Sequence, residues 1–216
     1  HLLQTSKKED VPAAVADMIS QVASEEGITV HLGSSITEVR GFVGNFATTI
    51  ASNGSEQTVD HGVTILATGA RESKPEEYLY AQHERVLTSL ELDRWLKEND
   101  PRLEQASEIV FIQCVGSRDE NRPYCSKVCC THSIVSALEC KARHPDVGVT
   151  ILYRDMRTYG HREELFRQAR QAGVRFVTYE PEAKPQVSAD GDAVQVSFRD
   201  PILGRQVSVR ADILCL

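Results

Sequence analysis

The chain has 216 residues, 41% of them apolar and 25% charged, with a formal net charge of -7. It is long enough to bury a core without covalent staples, and too acidic to offer a general surface to nucleic acid or to an anionic membrane. No apolar run approaches the roughly 20 residues that a spanning helix needs, and the first residues carry no signal-peptide pattern. A cytoplasmic protein without membrane insertion is expected, and in a reducing compartment clustered cysteines point to metal ligands or redox catalysts rather than to structural disulfides.

Residues 12–26, PAAVADMISQVASEE, place Val15, Met18, Ile19 and Val22 at helical spacing, with Gly27 as the stop. ITVHL then reads as a strand, ITEVRGFVGNFATTIAS as strands interrupted by glycine, and GVTILATG as a buried strand running into a turn. The same order recurs near the end: REELFRQARQAGVRFVTYEP is helix, glycine, strand, followed by AVQVSFRD, GRQVSVR and ADILCL. Aligning the copies sets Gly27 on Gly173 and Leu66 on Leu216. The second copy stops where the first continues into Ala67, Thr68 and Gly69, and no strand with a glycine turn precedes the first helix. A central fragment of a longer polypeptide is therefore expected.

Between the copies, SEIVFIQ is an apolar strand, SIVSALECKARH an amphipathic helix and VGVTILYRD a second apolar strand. This βαβ unit argues for an α/β protein with a mainly parallel sheet, right-handed crossovers and small antiparallel flaps. Its first turn is CVGSRDENRPYCSKVCC. A nucleotide-binding unit needs several glycines there to bring the backbone to a pyrophosphate, and only Gly116 is present. Val115, Gly116 and Ser117 can be read as a reduced phosphate turn or as an ordinary tight turn, the second being favoured.

The loop gathers Cys114, Cys125, Cys129 and Cys130, four of the six cysteines. With a helix starting within CSKVCCTHS, Cys125 and Cys129 fall on one helical face, Cys130 about a hundred degrees round, and Cys114 at the strand end, so the four can surround one centre. Cys140 lies about 15 Å further along the helix; it and Cys215 read as small buried side chains. Three chemistries use such thiols. Structural zinc prefers paired C-x-x-C knuckles, and thiol-disulfide catalysis lacks its usual spacing. An iron-sulfur cube tolerates irregular spacing, and its charge would be eased by helix N-terminal amides and by Arg118, Arg122 or Lys127; it is the favoured reading.

FIQCVGSRDENRPYCSKVCC followed by VTILYRDMRTYG resembles the A-type subunits of heterodisulfide reductase and their relatives, over most of the chain. The resemblance implies a Rossmann-like, thioredoxin-reductase-like core carrying FAD, with residues 1–100 a partial FAD-binding domain and 101–216 a truncated NAD(P)-domain-like unit. It implies a 4Fe-4S cluster on Cys114, Cys125, Cys129 and Cys130, and FAD running close to Ala67, Thr68 and Gly69. The FAD glycine fingerprint and the ferredoxin-type cysteine runs of long family members are absent here. The implied partners are heterodisulfide reductase B and C type subunits, hydrogenase-linked proteins or quinone-interacting proteins. A zinc-stabilised interaction domain is the alternative from another class.

Arg154, Asp155 and Arg157 stand where a ribose would be recognised, but without a glycine turn they read as a solvated rim, and NADH or NADPH binding is not expected. His132 and His161 read as structural or exposed, Tyr153 and Tyr159 as packing residues, and Glu163 and Glu164 as first-turn helix charges.

Overall fold

The computed structural model of the protein describes residues 10–216, which divide into two compact units, Val11–Arg71 and Glu72–Leu216.

The first unit opens with helix α1 (Val11–Ser24). It continues into an antiparallel sheet of three strands in the order β1 (Ser34–Phe42), β2 (Asn45–Ser52) and β3 (Ser55–His61). Gly41 is obligatory in this sheet: its φ is +97°, and a side chain would drive into the backbone carbonyl of Asn45. Two expected strands do not form. ITVHL (28–32) and GVTILATG (62–69) have no regular structure, and Val30, Leu32, Ile65 and Leu66 are exposed. An apolar run becomes a strand only when a neighbour satisfies its backbone polar groups, and among the described residues no strand pairs with either segment. For the same reason the apolar stripe of α1 lacks cover, with Met18 and Ile19 exposed.

The second unit is built on five parallel strands, β4 (Val86–Leu87), β5 (Glu108–Ile112), β6 (Gly148–Tyr153), β7 (Arg175–Thr178) and β11 (Ile213–Cys215). They form one sheet in the order β4-β11-β5-β6-β7. The helices are α2 (Ser89–Glu98), α3 (Pro101–Glu104), α4 (Cys129–Arg143) and α5 (Glu163–Gln171). Between β7 and β11 the chain makes a second antiparallel sheet of three strands, β8 (Gln186–Asp190), β9 (Ala193–Asp200) and β10 (Arg205–Ala211).

The period-two alternation of β5 explains the layering. Ile109 and Phe111 join Leu92, Trp95, Ile134, Ala137 and Ile213 in a core on the helical side. Val110 and Ile112 join Val194, Val196, Phe198 and Leu214 in a second core against the antiparallel sheet. The βαβ unit and the elements of the second copy form as the patterning predicts. Here the repeat is completed: β7 pairs with β6, and β11 with β5 and β4. Helix α2 and strands β4 and β8 go beyond the sequence expectation. The signal for α2 is present in its capping box, Thr88 with Glu91, and in the spacing of Leu92, Trp95 and Leu96.

Candidate metal centre

Strands β6 and β7 lie on one side of β5, and β11 lies on the other. The strand order therefore reverses beside β5, and the loop leaving β5 sits at the switch point where open α/β sheets bind their ligands. That loop is the cysteine loop.

Gln113, directly after β5, donates its N–H to Leu152 O at 2.9 Å, and its carbonyl accepts from the Tyr179 hydroxyl at 2.5 Å. The strand exit is thus pinned from two sides. Cys114 follows in the left-handed region, φ +64°. Residues 114–117 close a tight turn in which Ser117 N–H donates to Cys114 O at 3.4 Å and Gly116 supplies a φ of +59°. Of the two readings of Val115, Gly116 and Ser117, the turn is the geometry observed. Further left-handed residues, Arg118 and Lys127, steer the loop back to the helix. Non-glycine residues in this region carry local backbone strain and cluster at functional sites.

Helix α4 begins at Cys129, so Cys125 lies in the loop and not on a helical face with Cys129 as expected. The left-handed Lys127 breaks the helical path between them, and its backbone N–H caps the Cys125 sulfur at 3.3 Å. Cys114, Cys125 and Cys129 are partly exposed and Cys130 is buried. A hydrogen bond from the Cys130 thiol holds the Cys129 thiol down at about 6, against the opposing effect of burial. The donor Cys130 is pushed up by the same bond and by burial. Burial raises Cys114, with Arg118 beside it working the other way. Cys140 and Cys215, on the helical side of the sheet, are 2% and 0% exposed, as small apolar core residues should be.

Arg118 Nη1 points to Cys114 Sγ at 3.8 Å. Arg122 instead donates to Gly116 O and to the Ser73 hydroxyl. Arg154, Asp155 and Arg157 are part-exposed, as a solvated rim would be, and are also tied to the cysteine loop and to one another. Arg154 donates to Arg118 O at 2.9 Å, and Asp155 pairs with both Arg118 and Arg157. His132 bonds to Asp93 at 2.8 Å, tying the first turn of α4 to α2. Tyr153 packs edge-on against Phe176, whereas Tyr159 is 59% exposed. Glu163 and Glu164 do stand in the first turn of α5.

Among the described residues no three His, Cys, Asp or Glu side chains converge as a ligating group. The fit to a thiolate-bound centre is one of chemistry. Cys114, Cys129 and Cys130 lie within one another's electrostatic reach, and guanidinium groups adjoin Cys114 and Cys125. Of the four buried side-chain polar atoms without a hydrogen-bond partner among the described residues, three belong to residues flanking this site: Gln113, Thr131 and Thr158. Buried polar groups are ordinarily satisfied, so this concentration marks the place where a further group would be accommodated. Ala67, Thr68 and Gly69 belong to the other unit, in the irregular segment after β3, with Gly69 left-handed.

A parallel sheet covered by helices on one face and by an antiparallel sheet on the other defines the chain's class, an α/β fold. The FAD-bound desferrioxamine-pathway cadaverine monooxygenase of Erwinia amylovora shares this fold, with a TM-score of 0.50 and 11% identity over 94% of this chain and 56% of that one. No family model matches. Curated relatives are more specific. The A subunit of the H(2):CoB-CoM heterodisulfide,ferredoxin reductase of Methanothermobacter marburgensis is 33% identical over 178 residues, 74% of this chain and 27% of that protein. An A-type iron-sulfur subunit of the CoB-CoM heterodisulfide reductase of Methanopyrus kandleri is 33% identical over 174 residues, 72% of this chain and 26% of that protein. The chain is a homologue of the heterodisulfide reductase A subunits, consistent with a segment of that family, and it spans about a quarter of the length of these relatives.

Proposed function

We propose that the chain serves an electron-transfer oxidoreductase of the heterodisulfide reductase A type, with Cys114, Cys125, Cys129 and Cys130 holding a 4Fe-4S cluster that exchanges electrons with FAD. The observation that carries this reading is the replacement of the phosphate turn, at the switch point of a nucleotide-binding sheet, by a loop of four thiols ringed with arginines. When bound, such a cluster supplies one-electron chemistry whose potential depends on nearby charge, hydrogen bonds and burial.

The chain's own residues meet those needs. Cys130 is buried at the helix start. Arg118 and Arg157 bring positive charge to Cys114 and Cys125. Lys127 N–H donates to a thiol sulfur. On the other unit, Ala67, Thr68 and Gly69 form the flavin-side turn, a role supported by the family resemblance and by the bound FAD that names the cadaverine monooxygenase structure. Partner subunits of the heterodisulfide reductase B and C type, hydrogenase-linked or quinone-interacting, would take up the electrons, in a cytoplasmic assembly.

The test is electron delivery. The chain is loaded anaerobically with iron and sulfide, reduced with dithionite, freed of excess reductant and mixed with oxidised cytochrome c. About one electron per chain is expected to pass, and none from a zinc-loaded control. Equal, zero transfer from both would refute the reading in favour of a zinc-stabilised interaction domain.

A further inference from the structure

Asp155, two residues beyond β6, ties the cysteine loop to the end of that strand through Arg118. One carboxylate oxygen pairs with Arg118, and the other accepts from Arg157 Nε at 2.6 Å. Arg118 in turn reaches Cys114 Sγ at 3.8 Å, and Arg157 lies within electrostatic reach of Cys125. The main-chain carbonyl of Asp155 lies 3.9 Å from Cys130 Sγ. The carboxylate itself is hydrogen-bonded to the two guanidiniums and acts on the sulfurs only through them.

The geometry decides what such an arrangement is for. Arg118 and Arg157 have side chains 20% and 34% exposed, and Asp155 is 45% exposed. Pairs this open to water contribute little to global stability, but a charge-assisted bond to one fixed carboxylate gives each long side chain a single direction. Without it each guanidinium gains hydration by turning outward. The loop's other bonds, such as Arg154 to Arg118 O and Arg122 to Gly116 O, go to its main chain and leave the direction of the Arg118 side chain to the carboxylate. In a dinucleotide-binding sheet the acidic residue at this strand end recognises a ribose; here it is committed to its own loop.

We propose that Asp155 is a positioning residue of the thiol centre, clamping Arg118 against Cys114 and holding Arg157 beside Cys125. The effect on a bound centre rests on the cluster reading above; the effect on the loop does not.

The first measurement is residue-resolved alkylation of the metal-free full chain at a single neutral pH, followed by mass spectrometry. Asp155→Ala is expected to speed modification of Cys114 and Cys125 at least threefold and to leave Cys140 and Cys215 unchanged. Adding Asp155→Ala to Arg118→Met should produce no further change at Cys114, because the clamp acts through that guanidinium. Unchanged rates at Cys114 and Cys125, or a full additional effect in the double variant, overturn the proposal. If Asp155→Ala also opens Cys140 and Cys215, Asp155→Asn decides: it keeps the volume, and a selective rise at the two loop thiols is required of it.

The second measurement is the midpoint potential of the iron-loaded chain. Asp155→Asn should retain its iron and shift the potential negative, because the released guanidiniums turn outward and carry their positive charge away from the sulfurs; a potential that does not move, or that moves positive, overturns the link from clamp to centre. A wild-type chain that takes up no iron refutes the cluster reading and leaves the alkylation result standing.

Discussion

Cys129 and Cys130 show why adjacent thiols need not be redundant. They are neighbours at the start of α4, yet one is held toward the thiolate and the other toward the thiol by the hydrogen bond between them. Cys140 and Cys215 have no such company, and their burial within the sheet-helix core keeps them out of reach of a shared centre. Replacing any one of Cys114, Cys125, Cys129 or Cys130 by Ser should lower bound iron at least about twofold or alter the absorption and paramagnetic spectra, a hard oxygen being a poor substitute for thiolate. Cys140→Ala and Cys215→Ala should leave both unchanged. If Cys140→Ala loses the centre and Cys130→Ser keeps it, the assignment of ligands is wrong. Spacing alone made it legible that the four cysteines share one loop running from a strand end to a helix start, because a βαβ turn joins the two. The commitment of Asp155 and its arginines was not legible: a charged triplet after a strand reads the same whether it faces solvent or a loop folded over it.

At the scale of elements, helix α2 illustrates how local chemistry and packing combine. The Thr88 side chain accepts from Glu91 N–H, and the Glu91 carboxylate accepts from Thr88 N–H at 2.8 Å while also meeting Lys74 and Tyr80. Burial works against the ionised Glu91 carboxylate, but these donors outweigh it and hold its folded pKa below the ordinary glutamate value of 4.5. A depressed carboxylate contributes stability above its unfolded pKa and loses it as pH falls through the folded value. Glu91→Gln should therefore destabilise the chain by about 1 kcal/mol at neutral pH. In denaturant titrations across a pH series, the gap should close as the pH falls below 4.5; a gap independent of pH would contradict the role. Phe111, fully buried in β5, tests the core directly. Phe111→Ala should cost about 3–5 kcal/mol in the same titrations, and a loss under about 1 kcal/mol would show that the helical side of the sheet is not packed as described. The strands of this unit were legible because each apolar run has a partner strand to complete it. ITVHL and GVTILATG carry the same pattern without one among the described residues, and pattern alone does not reveal whether the partner is there.

At the scale of the whole molecule, the chain joins a unit with a three-stranded antiparallel sheet to a unit with a complete five-stranded parallel one. In the second, the turn that would cradle a pyrophosphate holds thiols, and the acid that would hold a ribose holds arginines. Titration calorimetry with NADH or NADPH should accordingly give no heat of binding at micromolar concentrations, and a micromolar dissociation constant for either would show that the loop leaves the nucleotide site open. Fold class was readable from the alternation of strands and helices around residues 107–153, since parallel sheets demand that order. What the loop binds is the central claim, and its most direct measurement is iron and acid-labile sulfide per chain after anaerobic loading and gel filtration. The account predicts about four of each per chain on a brown protein; a colourless chain that retains about one zinc and no sulfide would contradict it.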